Sequence, residues 1–299
     1  MAAAGVAGVS APLHASTTRT GNSALNNVVN DIDETLGAWV ITRNRNSALY
    51  PCISQDTVLG IKSRMSLDST ALPVSGDLSA FNPNGHSFNG VSGEVNLSAN
   101  AYVDWVFRKA VGFFDVFGYA GDGTTNKKVP HQLGEVPGMI VVKKKAPTVS
   151  NSDWYVYIND LGASSYIILS KTAASVVSSG IWGATLPTDQ EFTVGSAASN
   201  AAGSDYNAYL FASNPNTSDK IRVGSTVGGP AEVYIGWKAA FLLYKRVDGT
   251  GSWGVLDAAR PGRYLPWNSA AAESAATAVI TDTGIILNFT GTYMYMVIR

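Results

Sequence analysis

The feature that most constrains this chain is that it repeats itself. A run of apolar residues closed by a cation occurs three times, as Trp39-Val40-Ile41-Thr42-Arg43, Met139-Ile140-Val141-Val142-Lys143-Lys144 and Phe241-Leu242-Leu243-Tyr244-Lys245-Arg246. The cations Arg43, Lys143 and Lys245 lie 100 and 102 residues apart. A second landmark keeps step with the first. Each copy ends in an aromatic strand, Tyr102–Phe107, Tyr206–Phe211 and Tyr293–Ile298. Copies two and three also share a turn followed by tryptophan, Asp153-Trp154 and Ser252-Trp253, where copy one has Ala48-Leu49-Tyr50. Landmarks that recur in register mark a repeated structural unit, and a repeat decides the architecture before any motif does.

What the unit folds into follows from its texture. Short apolar runs rich in Val, Ile, Tyr and Phe alternate with turn residues every ~8–12 positions, which is the pattern of a sandwich or barrel. Gly-rich turns, Gly121-Asp122-Gly123 and Gly228-Gly229-Pro230, precede hairpin entries in copies two and three, where glycine supplies the positive φ of a tight turn. Sustained helical periodicity is absent; Asp31 to Leu36 is at most one turn. The expectation is an all-β chain of three tandem β-sandwich, jelly-roll-like modules over 37–110, 111–212 and 213–299. Residues 1–36 carry no recurring landmark and are rich in Ala, Gly, Ser, Thr and Asn. They read as an extended N-terminal arm that docks on a neighbouring subunit, so that its deletion should leave a folded protein.

Several function classes recede on composition. With 21 Lys and Arg against 22 Asp and Glu, there is no positive field to gather nucleic acid. No apolar run is long enough to span a bilayer, and Met1 to Pro12 lacks the basic and leucine-rich regions of a secretory signal. The lone Cys52 excludes an intramolecular disulfide and Cys-paired metal sites, and reads as a buried thiol compatible with a reducing cytoplasm. No cofactor or metal is expected, since Asp122 with Asn126, and Asp31 with Asp33 and Glu34, do not match a Ca²⁺ loop.

Catalytic constellations are equally thin. The six glutamates, at 34, 94, 135, 191, 232 and 273, are scattered, so no paired-acid site of a glycosidase is visible. His14, His86 and His131 sit in no nucleophile motif and read as loop or core histidines. The chain therefore reads as a non-enzyme. The strand-closing cations read as solubilising edge gatekeepers, and the repeated aromatics Trp105, Tyr209 and Tyr295 as core. Function should then lie in loops that differ between copies. The candidates are Trp182 and Asp189 in loop 180–190, and Arg260, Arg263, Tyr264 and Trp267 in loop 260–269. Arg and Trp dominate hot spots between proteins, so Trp182→Ala and Trp267→Ala should weaken assembly or attachment with little change in melting temperature.

The ordered blocks Phe107-Arg108-Lys109-Ala110, Gly112-Phe113-Phe114-Asp115-Val116, Tyr119-Ala120-Gly121-Asp122-Gly123, His131-Gln132-Leu133-Gly134 and Val136-Pro137-Gly138-Met139-Ile140-Val141-Val142-Lys143 resemble a repeated β domain of bacteriophage tail-fibre-type virion proteins, common in marine and cyanobacterial phages. The resemblance continues through Trp154-Tyr155-Val156-Tyr157, Phe192-Thr193-Val194-Gly195 and Tyr209-Leu210-Phe211-Ala212, covers roughly 80–299 and is strongest over 105–212. It implies a structural virion subunit, a tail fibre or tail-associated protein, that assembles in the host bacterial cytoplasm. The expected partners are copies of itself and, through the polar segment 1–36, which lies outside the resemblance, other virion proteins; the balanced charge argues against nucleic acid and the lack of a long apolar run against membrane insertion. Capsid decoration, or a receptor-binding adhesin for host surface polysaccharide, are the alternatives. It carries over no catalytic residue.

Overall fold

The computed structural model describes residues 11–146, 152–195, 198–214 and 220–299. The protein is all-β, and no α-helix occurs among the described residues. Module one comprises β1 (His14–Thr20), β2 (Leu25–Val29), β3 (Ala38–Asn44), β4 (Ile53–Asp56), β5 (Ser63–Ser66), β6 (Val74–Ser75), β7 (Leu78–Asn82), β8 (Gly85–Asn89) and β9 (Ala101–Arg108). Module two comprises β10 (Phe114–Ala120), β11 (Lys127–Pro130), β12 (Pro137–Ala146), β13 (Tyr155–Ile158), β14 (Ser165–Ile168), β15 (Val176–Val177), β16 (Glu191–Val194) and β17 (Asp205–Ala212). Module three comprises β18 (Ile221–Val227), β19 (Val233–Tyr234), β20 (Phe241–Arg246), β21 (Gly254–Asp257), β22 (Arg263–Pro266), β23 (Ser274–Ala275), β24 (Val279–Ile280), β25 (Gly284–Ile286) and β26 (Thr292–Ile298).

Each module supplies one six-stranded antiparallel sheet, in the orders β1-β9-β3-β4-β5-β6, β10-β17-β12-β13-β14-β15 and β18-β26-β20-β21-β22-β23. In every case the first strand pairs with the last, and the cation-tipped strand lies beside the last. Smaller sheets, β2-β8-β7, β11-β16 and β19-β25-β24, accompany them. The register is also shared, because Trp39, Met139 and Phe241 face Phe107, Phe211 and Ile298 respectively.

Residues 14–29 are therefore not an arm. His14–Thr20 pairs along its whole length with β9, and Leu25–Val29 pairs with β8. The segment is polar because β1 is an edge strand whose pattern is half-exposed, so backbone hydrogen bonds rather than apolar alternation hold it. Deleting residues 1–36 would strip two strands from module one, and the expected harmless deletion does not survive. Residues 1–10 lie outside the described residues.

The cation-tipped strands read as unbroken apolar runs because both of their faces are buried. Alternate residues point to opposite sides. Trp39, Ile41, Trp105 and Phe107 of module one, Tyr209 and Phe211 of module two, and Phe241, Leu243 and Trp267 of module three join one central core. In modules one and three the other face packs locally, with Val40 and Val106 in one small cluster and Leu242, Tyr244, Tyr295 and Val297 in another, whereas in module two Ile140, Val142 and Leu210 on that face are continuous with the central core. The modules thus share a core rather than each closing its own. Trp39 stacks on Tyr209 at 4.3 Å between ring centroids, and Phe107 meets Phe211 at 5.2 Å and Phe241 at 5.4 Å.

The shared register also corrects one detail of the repeat. Trp105 and Tyr209 correspond to Met296, not to Tyr295, because Tyr295 is one residue off and faces the outer cluster.

Candidate functional site

The strand-closing cations are not surface gatekeepers. Arg43, Lys143 and Lys245 are buried, and each reaches into a neighbouring module. The Lys143 ammonium donates to the backbone carbonyl of Thr70 in module one at 2.7 Å and to that of Ser152. Lys245 donates to the carbonyls of Thr172 at 3.1 Å and Ala173 at 2.9 Å in module two, and to that of Arg246 at 2.6 Å. Arg43 closes the circle by donating to the carbonyl of Ala271 in module three at 2.7 Å, and to that of Tyr50. Burial lowers both lysine pKa values to about 8. A cation at a strand end looks the same in sequence whether it meets water or a neighbour's carbonyls. Only the closed arrangement distinguishes the two.

Further interlocks run around the same ring. The Trp154 indole N–H donates to the carbonyls of Ser66 and Ser69 in module one, and that of Trp253 donates to the Ile168 carbonyl in module two. By register the third equivalent is Cys52, not Tyr50, since Cys52 precedes Ile53 as Trp154 precedes Tyr155. Its buried thiol, whose pKa burial pushes up, lies in the central core. The Ser175 N–H donates to the Val247 carbonyl and the Glu273 N–H to the Arg45 carbonyl. At the corresponding place in module one stands Pro73, which has no N–H to give.

Carboxylates complete the joints. Asp56, at the end of β4, accepts from Asn207 at 3.1 Å and from the Tyr209 hydroxyl at 2.7 Å in module two. Its counterpart Asp257, at the end of β21, accepts from the Trp105 indole at 2.8 Å in module one. Burial raises the Asp56 pKa against these hydrogen bonds.

Three of the six residues selected from sequence belong to these joints or to the core. Trp182 and Trp267 are buried, and Trp267 packs on Trp39 and Trp105 at 5.9 and 6.1 Å. Arg260 is buried between Asp257 and Glu273, with its guanidinium over the Trp105 ring. Loop composition marked them as surface because Pro266 and Gly183 interrupt the strand pattern, yet the modules close over both tryptophans. The idea that either is a loop contact whose loss spares stability fails. Asp189 and Arg263 are exposed, Arg263 lying 3.8 Å from Glu273, and Tyr264 is half-buried. Trp182, which meets Tyr157 in module two, and the 260–269 residues of module three do not form one site.

Two arrangements of chemical interest were not apparent in the sequence. In module one, His86 Nδ1 lies 2.8 Å from Glu34, and its Nε2 lies 3.9 Å from Asp104. Asp104 also takes a two-pronged contact from Arg19 and a 2.6 Å hydrogen bond from Thr42. Burial opposes the imidazolium, but Glu34 and Asp104 outweigh it and raise the His86 pKa to about 9. Burial likewise opposes the Asp104 carboxylate, yet Arg19 and His86 hold its pKa well below the usual range. A histidine between two carboxylates has the composition of an acid–base relay. All three are sealed from solvent, however, so no substrate reaches them and the cluster is a structural charge network. His14 goes the other way, because burial lowers its pKa to about 4 and holds it neutral.

The second arrangement is a cavity of about 340 Å³ on the outer side of module three. Tyr244, Tyr264, Phe289 and Tyr293 line it, and Ser252, Ser274 and Thr277 contribute hydroxyls. Phe289 stacks on Tyr244 at 5.7 Å and meets Tyr293 at 5.6 Å. Among the described residues, no cluster of three or more His, Cys, Asp or Glu side chains could hold a metal ion.

A family model, domain of unknown function (DUF7483), matches residues 13–296. The chain belongs to the DUF7483 family. The match starts one residue before strand β1 and runs across all three six-stranded sheets, so one DUF7483 unit comprises the closed set of modules, including strands β1 and β2. No curated protein matches the chain.

Proposed function

We propose that this DUF7483 chain is a structural subunit of a bacteriophage particle, a tail fibre or tail-associated protein, made to be rigid rather than to catalyse. The observation that carries the reading is the ring of buried interlocks, in which Lys143, Lys245 and Arg43 each grip the carbonyls of another module. A chain that joins three sheets through a shared aromatic core resists shear between them, as a load-bearing or attachment element of a particle requires. The resemblance of residues 80–299 to tail-fibre-type domains points the same way. Partners would be further copies and other virion proteins, held by surfaces other than β1 and β2, which are already paired within module one.

The test is to purify particles from a lysate of an infected host, digest them and quantify this chain by mass spectrometry against the major capsid protein. The reading expects a fixed, integral copy number that survives gradient purification, and loss of that structure from particles made without the gene. Absence from purified particles refutes it.

A further inference from the structure

We propose that the outer cavity of module three is a binding site for a neutral saccharide ring. The proposal concerns a site on the isolated protein and does not depend on which particle, if any, carries the chain.

The argument starts from one register position. In the sheets, Gly254 pairs with Tyr244, Tyr155 pairs with Val142, and Ile53 pairs with Thr42, so 254, 155 and 53 are the same place in the three modules. In module one this place is a buried isoleucine, and in module two it is Tyr155, whose ring packs edge-on against Tyr166 at 5.5 Å. Tyr166 is itself the counterpart of Tyr264, since each pairs with the short edge strand beside it. Module three keeps the second tyrosine and deletes the first.

Glycine at this place changes the surface. A Cβ on Gly254 would lie 2.5 Å from the Tyr244 ring and 2.7 Å from the Tyr264 ring, so both rings rest against the bare strand. Of the aromatic lining, Tyr264 and Phe289 are half-exposed, while Tyr244, stacked by Phe289, is buried. Tyr293 backs this lining from a buried position, and the hydroxyl-bearing Ser252, Ser274 and Thr277 line the same cavity, Ser252 hydrogen-bonded to Tyr264. Tyr264, Phe289, Ser274 and Thr277 are all accessible to solvent.

The chemistry of this lining selects its occupant. Flat aromatic faces match the C–H face of a pyranose, while small hydroxyls at the rim exchange hydrogen bonds with its equatorial hydroxyls. The lining contains no Lys, Arg, Asp, Glu or His, and the nearby Arg246 is already paired with Asp248 at 2.7 Å. An anionic or phosphorylated ligand would find no counter-charge, so the class is a neutral sugar. At about 340 Å³ the cavity lies at the small end of ligand sites, the size for one or two rings of a longer glycan.

The experiment uses the full chain with ¹³C-labelled tyrosine, titrated with the methyl glycosides of glucose, galactose and mannose and with N-acetylglucosamine. We expect saturable shifts of a subset of tyrosine signals by at least one of these sugars, with a Kd on the order of 1 mM for a single ring. The shifting signals should include the one that Tyr264→Phe removes, and Tyr264→Ala should weaken binding at least tenfold. Tyr166→Ala, at the equivalent place in module two, should leave it unchanged. Gly254→Tyr, which puts at this place the side chain that module two carries there and displaces the Tyr244 and Tyr264 rings, should abolish it; if that variant does not fold, the rim variant Thr277→Val should weaken binding with the fold intact. No saturable shift with any of the four sugars overturns the proposal. So does binding that Tyr264→Ala leaves untouched, or saturation by free adenine or phenol with no response to sugars.

Discussion

Replacing Lys245 by Ala tests whether the strand-closing cations lock the modules together. The side chain removes three methylenes beyond Cβ, worth about 0.8 kcal/mol each, or roughly 2.4 kcal/mol of burial. Its ammonium serves three carbonyls. The Thr172 carbonyl keeps the Gly251 N–H, but those of Ala173 and Arg246 lose this donor, at about 1–3 kcal/mol each. Against this stands relief from burying a charge. A pKa lowered from 10.5 to about 8 corresponds to roughly 3 kcal/mol that the variant no longer spends. The net loss should be about 3 kcal/mol. Lys238, which pairs with Asp282 in the open, provides the control, and Lys238→Ala should change stability by less than about 0.5 kcal/mol. The assay is denaturant unfolding followed by tryptophan fluorescence, with amide exchange read at Gly251 and Ser175, whose N–H groups cross between modules two and three. A Lys245→Ala protein as stable as Lys238→Ala would refute the interlock and restore the gatekeeper reading.

Trp182→Ala and Trp267→Ala should each cost about 3–5 kcal/mol in the same unfolding assay, because both rings are buried; retention of wild-type stability would place them back at the surface. For His86 the folded pKa of about 9 exceeds the unfolded value of 6.5, so its contribution is complete below pH 6.5 and is lost as pH rises through 9. The stability gap between wild type and His86→Gln should accordingly shrink by about 2–3 kcal/mol from pH 6 to pH 9, and a gap independent of pH would contradict a charged His86. Asp257→Ala should destabilise by about 3–5 kcal/mol by leaving Arg260 and the Trp105 indole without their shared acceptor, while Arg260→Met in the same background should recover part of the loss; strictly additive losses would show that the three do not act together.

How far the fold could be read ahead of the structure depended on which face of each strand carried the signal. The cation-tipped runs and the closing aromatic strands were legible because both faces are buried, so their apolar character is continuous. Strand β1, His-Ala-Ser-Thr-Thr-Arg-Thr, was illegible for the opposite reason: an edge strand needs backbone partners more than apolar side chains. The equivalence of Cys52 with Trp154 and Trp253 is a statement of register, and a thiol in place of an indole leaves no compositional trace. Arg43, Lys143 and Lys245 stand out as a repeat, but composition cannot show that each bridges modules, because the acceptors that do so are carbonyls about 70 or, for Arg43, over 200 residues away. Of Arg260, Arg263, Tyr264 and Trp267 in one loop, only Tyr264 lines the outer cavity, and the sign of that cavity in the sequence is Gly254, a glycine inside a strand where its counterparts are Ile53 and Tyr155.

The most direct test of the claim that three sheets form one interlocked body is differential scanning calorimetry of the intact chain. At about 0.7 kcal/mol per residue, cooperative melting of all 299 residues should give a single peak whose van't Hoff enthalpy matches a calorimetric value of about 200 kcal/mol. Three independent modules would instead show resolved peaks, or one peak with a van't Hoff enthalpy near about 70 kcal/mol, a third of the calorimetric value. The shared core and the ring of cation clamps predict the first result, and the second would contradict them.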